Sequence, residues 1–214
     1  DEMRVTYELY GVNGFNDGVL EGDPDGTRIA AGKGNFEDNN NRPALVGRLS
    51  VSPAPSWELG ASTHTGAYNT WMAEDLEIDE KRSVTILALD GEWRWRQFEV
   101  LGEYASASVD VPPETGGLSS EDQQGYYIQL NAHGGQTWLA ALPGSQFTGV
   151  IRCGLVDFDT NGDGDTHRRL TIGGNFRPQQ DTVFKIDYQR NWTRDAFQIQ
   201  GKGAALIFSM ATYF

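Results

Sequence analysis

The segment Asp157-Phe-Asp159-Thr-Asn161-Gly162-Asp163-Gly164-Asp165 is the sharpest chemical pattern in the chain. Oxygen donors at alternate places with glycine at the sixth match the opening half of a calcium loop, in which hard oxygen ligands wrap the ion. The match then fails, because Arg168 stands where such a loop needs a bidentate glutamate, and no helical pattern flanks the segment. Asp157, Asp159, Asn161, Asp163 and Asp165 are thus a weak candidate calcium set, and a solvated Asp/Gly hairpin loop is the plainer reading. No other cofactor is expected.

Covalent chemistry finds little support. Hydrolytic constellations need a nucleophile, a base and an orienting group within hydrogen-bond reach. His64, His133 and His167 stand in separate segments with no motif around any of them, so no enzyme is expected. Cys153 is the sole cysteine, which excludes an intrachain disulfide and a cysteine-based zinc site; between Ile151 and Leu155 it reads as a small hydrophobe. Asn191-Trp-Thr193 is a formal glycosylation sequon only. The net charge of −13, from 17 basic and 30 acidic residues, offers no basic stripe to nucleic acid, which is not expected as a partner.

The elements that would carry the remaining charges are strands. Apolar and polar residues alternate with period two in ten runs: 3–13, 43–52, 56–67, 83–95, 97–108, 124–134, 147–157, 168–177, 181–192 and 203–214. Each exceeds the five or six residues usual in soluble sheets and suits a tilted membrane strand of roughly nine to eleven. Connections alternate in length. Gly14–Arg42, Asn69–Arg82, Asp110–Gln123 and Asp157–His167 are long and polar, whereas those around Pro53, Arg96 and Gln179 are tight. Gly134–Gln146 is a medium connection where a short one is expected. That segregation predicts an all-β, antiparallel up-and-down transmembrane β-barrel with long loops at one end, in a single domain over residues 1–214. A mean hydropathy of −0.49 does not oppose it, since alternating strands average to moderate polarity.

One face of each run is apolar, as with Leu87, Leu89, Trp93 and Trp95, and strand charges are assigned to the other face only. The pore-lining candidates are Arg4, Glu8, Arg48, Glu58, Asp90, Glu92, Arg94, Glu99, Glu103, Arg152, Arg177, Lys185 and Asp187. Rings of one sign select the opposite ion, so this mixture predicts weak selectivity. Trp57, Trp93, Trp95, Phe176 and Phe214 near the tight turns, with Tyr10, Tyr68 and Trp192 near the long loops, predict two interfacial girdles. Alternation alone also fits a secreted β-sandwich binding carbohydrate or calcium, and a structural barrel without conductance is a third reading.

The closing stretch Gly201–Phe214, with Leu206, Phe208 and Met210 at alternate positions before the terminal Phe214, resembles the last strand by which bacterial outer-membrane proteins are recognised for insertion. Tyr7–Asn16, Asn41–Pro53, Trp57–Ser62 and Asn175–Tyr188 resemble the later part of phosphate-selective porins of the O and P type. That resemblance implies an outer-membrane porin passing ions or small polar solutes, usually trimeric, with roughly sixteen strands in the full barrel. It implies that the ten runs here are the carboxyl-terminal part, lacking about six amino-terminal strands, although a closed barrel of ten is also open. Its partners would be outer-membrane lipid, the barrel-assembly machinery and two further copies, with the carboxyl terminus on the periplasmic side.

Overall fold

The structure, a computed structural model, describes residues 3–213 apart from 21, 24–25, 28, 35–38 and 116–118. Phe214 lies outside the described residues. Ten strands form one antiparallel sheet: β1 (Arg4–Asn13), β2 (Pro43–Ser52), β3 (Trp57–Ala67), β4 (Ser83–Trp95), β5 (Phe98–Val109), β6 (Asp122–Gly134), β7 (Gln146–Asp157), β8 (Thr166–Gln179), β9 (Thr182–Arg194) and β10 (Gln200–Thr212). Every strand pairs only with its neighbours in sequence, and β1 and β10 are the two edges. A sandwich would need a second large sheet, and the other two pairings among the described residues join strands of two residues each.

The turns explain the register. Arg96 takes φ 53°, and this left-handed residue lets Arg96-Gln97 reverse the chain between Trp95 and Phe98. Near the β8–β9 turn, Pro178 has no amide proton to donate, and the β8 register shifts between Phe176 and Gln179. Connections of two to four residues close the other end at β2–β3, β4–β5 and β8–β9. The longer β6–β7 connection lets Trp138 reach Phe147, their ring centroids 5.4 Å apart.

The apolar face is on the outside and bare. Leu89 is 61% exposed, Ile128 57% and Phe208 67%. The accessible surface is 14111 Å², against roughly 9,800 Å² for a globular chain of 23.6 kDa. Rings ring the tight-turn end: Trp57, Trp93, Trp95 and Phe98 follow one another at 5.7–6.3 Å, and Phe147, Phe176 and Phe184 at 4.7 and 6.4 Å. Offset and tilted contacts at such spacings are favourable beyond their area.

Two sequence expectations need correction. Tyr10 and Tyr68 do not border the outer face. Tyr10 points inward, its hydroxyl donating to Glu8 at 3.2 Å, and Tyr68 is fully buried beneath a loop, which leaves Trp192 alone of the three outside. Charges are also not confined to the inner face. Arg168, Arg190, Arg194 and Lys202 alternate with inner residues and so share the outer one near the long loops, where strands leave the apolar band.

Candidate functional site

The inner face of the sheet curls around a hollow of about 1100 Å³ whose walls run from Ile86 on β4 to Asp187 and Thr193 on β9. Strand alternation and register put all thirteen pore-lining candidates on this face.

They divide into two sectors. Across β1–β5 every inner arginine is paired, but Arg4, Arg48 and Arg94 stand against six carboxylates, Glu8, Glu58, Asp90, Glu92, Glu99 and Glu103, so this sector keeps an acidic excess. Arg48 grips Asp90 with two hydrogen bonds, 2.5 and 2.8 Å, reaching over β3 at Gly60. Arg94 pairs with Glu92 and, at 3.2 Å, with Glu99. Glu99 also accepts from Asn131 at 2.6 Å, and the oxygen of Asn131 accepts from Gln129 at 2.9 Å. Arg4 stands 3.9 Å from Glu58, beside a smaller hollow of about 330 Å³ near the tight turns.

Across β6–β9 the cations stay available. The Arg152 guanidinium stacks 3.7 Å over the Tyr127 ring, which fixes it flat against the wall without cancelling its charge. Arg169 donates to the Asn191 amide oxygen at 2.7 Å, and Arg177 to the Gln180 carbonyl at 3.4 Å. Lys185, Asp187 and Glu103 have no ion-pair partner among the described residues. The hollow therefore meets Arg152, Arg169 and Lys185 against Glu103 and Asp187. A chain of net charge −13 presents its cavity with a slight basic excess.

Glycine makes the crossing contact. A Cβ at Gly60 would lie 2.5 Å from Asp90 Oδ1 and 2.6 Å from Arg48 Nη2, both at the ends of side chains able to swing away. Gly60→Ala is therefore expected to part the ion pair and spare the fold. The loss should be about 1 kcal/mol or less, as for other partly exposed pairs, read as a small fall in the temperature at which the folded band disappears on a gel. A drop of 10 °C or more would show that the pair holds the strands together.

The first long loop also belongs to the site. Its described residues at 14–20 and 29–34 turn back over the inner face of β3–β5, where Val19 packs with Tyr68, Val84 and Val109, flanked by Phe15, Leu20 and Ile29. Phe15 meets the His64 ring edge-on at 4.9 Å. Asn39 donates to the Tyr68 carbonyl at 2.7 Å, and Asn40 to that of Ala67 at 3.1 Å. This apolar plug closes one side of the long-loop end and leaves the hollow beside it. Sequence reasoning missed it, although Val19-Leu20 and Ile29 inside a polar loop were the signal.

The Asp157–Asp165 carboxylates mostly serve their own loop. Asp157 accepts from the Asp159 amide at 3.3 Å, and Asp159 from the Asn161 amide at 3.2 Å and from Ser120 at 3.4 Å. Asp165 is buried, and the Asp163 carbonyl accepts from Gln198. No group of three or more acidic, histidine or cysteine side chains arranged to hold a metal occurs among the described residues. The histidines are dispersed as well: His133 shares a 2.9 Å hydrogen bond with Thr148, and His167 lies edge-on to Phe158.

No protein-family model and no curated protein matches the chain. Among solved structures it is similar to the outer membrane channel DcaP of Acinetobacter baumannii, with a TM-score of 0.59 and 10% identity. The match covers 99% of this chain and 59% of that one, so the chain spans about three fifths of the channel's length. At that identity the likeness is one of fold: the ten-stranded sheet is built as an outer-membrane channel is built.

Proposed function

We propose that the chain forms the greater part of the wall of a water-filled outer-membrane channel for passive diffusion of small polar solutes and ions, with a mild preference for anions. The observation that carries this reading is the inversion of the sheet: charge and a large hollow inside, bare leucine and stacked aromatics outside. In hydrocarbon each unpaired backbone group costs several kcal/mol, so the β1 and β10 edges must be sealed by further strands or against each other. Closure to roughly sixteen strands, as the porin resemblance implies, gives a bore wide enough for water. The exposed Leu206, Phe208 and Met210 on β10 suit a strand read by the barrel-assembly machinery, with the carboxyl terminus facing the periplasm and the long loops outside. Assembly as a homotrimer belongs to the same reading.

The test is electrical. The protein should require detergent for extraction, migrate differently on gels before and after heating, and give stepwise conductance in planar bilayers. The double substitution Arg152→Glu and Lys185→Glu should move the reversal potential in a salt gradient toward cation preference. A chain that stays monomeric and soluble without detergent sinks the reading, and a folded, inserted barrel with no conductance replaces it with a structural role.

A further inference from the structure

Four of the chain's 17 basic residues gather on the outer face. Pairing of β8, β9 and β10 sets Arg168, Trp192 and Lys202 side by side in one row. The next row toward the loops carries Arg194 between Thr166 and Gln200, and the row toward the apolar band carries Arg190 between Leu170 and Ala204. The patch is two inter-strand spacings wide, about 10 Å. Arg190 lies 5.9 Å from the Trp192 ring centroid, and none of the four cationic heads makes an ion pair or hydrogen bond among the described residues.

Four like charges this close repel one another, and no acidic side chain on β8–β10 shares their face. Toward the tight turns the same three strands continue as Ile172, Tyr188 and Leu206, then Phe184, Phe208 and Met210, all bare. The cations therefore stand at the upper border of the membrane-facing band, at headgroup depth on the long-loop side. Arginine forks match phosphate oxygens, and an indole ring is most stable at that depth.

We propose that this patch binds the phosphorylated headgroup of a membrane lipid in the leaflet on the long-loop side, with Arg168, Arg190 and Lys202 on the phosphate oxygens and Trp192 beside them. The proposal rests on the membrane-channel reading above. Its charge complementarity favours a lipid phosphate over an apolar partner, and a headgroup at this height needs no opening in the protein.

The experiment uses the full chain in neutral detergent, with diphosphoryl lipid A, its dephosphorylated form and inorganic phosphate as probes. Retention is read by native mass spectrometry and by Trp fluorescence. Wild type should hold the diphosphoryl lipid at least about tenfold more tightly than the dephosphorylated form, and the triple variant Arg168→Gln, Arg190→Gln, Lys202→Gln should lose that difference. Equal binding of both lipids, undiminished binding by the triple variant, or inorganic phosphate binding as tightly as the lipid overturns the proposal. So does a second copy of the chain protecting these positions from modification. Conductance of the same preparations keeps the two readings apart: a conducting wild type with no lipid discrimination overturns the patch alone, and a wild type that never inserts overturns the channel reading.

Discussion

Tyr68→Ala should raise single-channel conductance and make it noisy, more than any other single change on the inner face. Tyr68 is fully buried among Val19, Val84 and Val109, and its hydroxyl donates to the Asp110 carbonyl at 2.5 Å. Burial pushes the phenol up to about 12, so it stays neutral and apolar across physiological pH. Truncating a buried aromatic costs about 3–5 kcal/mol. Here the cost falls on the seat of one loop, because the ten-stranded sheet keeps its backbone pairing without that ring. The loop segments around Val19 and Ile29 should lift from the wall, opening the closed side of the pathway and becoming a protease target. Tyr68→Phe keeps the ring, loses one hydrogen bond and should cost about 1–3 kcal/mol, with conductance near wild type. Unchanged conductance and unchanged proteolysis in Tyr68→Ala would mean that the loop does not narrow the path.

Ile128→Arg should be the most damaging change on the outer face. Ile128 lies at the middle of β6, between Gly102 and Cys153, and is 57% exposed with no inner contact to lose. In a water-soluble protein such an exposed substitution would shift stability by roughly half a kcal/mol or less. At the bilayer midplane an outward arginine costs about 2–4 kcal/mol. The measurement is unfolding by denaturant from lipid vesicles, with Gln129→Arg, one residue along and facing the hollow, as the comparison. Similar effects at both positions would abolish the distinction between a lipid face and a wet face.

The strands were legible in the sequence because their signal is local. Ten alternating runs stand within a few residues of ten observed strands, and the largest differences fall at frayed starts, as at Gln200 where the pattern begins at Gly203. Long and short connections fell at the expected ends. What stayed hidden depended on register or on distant packing. That Arg48 would choose Asp90, two strands away, follows from the missing side chain at Gly60 between them, which no pattern along β2 reveals. The outer patch escaped for a similar reason: Arg168, Arg190 and Lys202 lie far apart in sequence and meet only after β8–β10 pair. Tyr68 was placed on a girdle because it ends a strand, whereas it is buried by Val19 from a loop some fifty residues earlier together with Val84 and Val109 from the two strands that follow.

The strand order has an evolutionary consequence. Because the backbone of each strand pairs only with the strands before and after it, a hairpin such as β4–β5, joined by a two-residue turn, is a unit the sheet can repeat. Duplicating or deleting one such module leaves every other strand with partners of the same kind. Bore then grows or shrinks almost linearly with strand number. On the channel reading, a lineage carrying this architecture can resize its bore by whole hairpins and need refit only the side chains that reach across them, as Arg48 reaches Asp90.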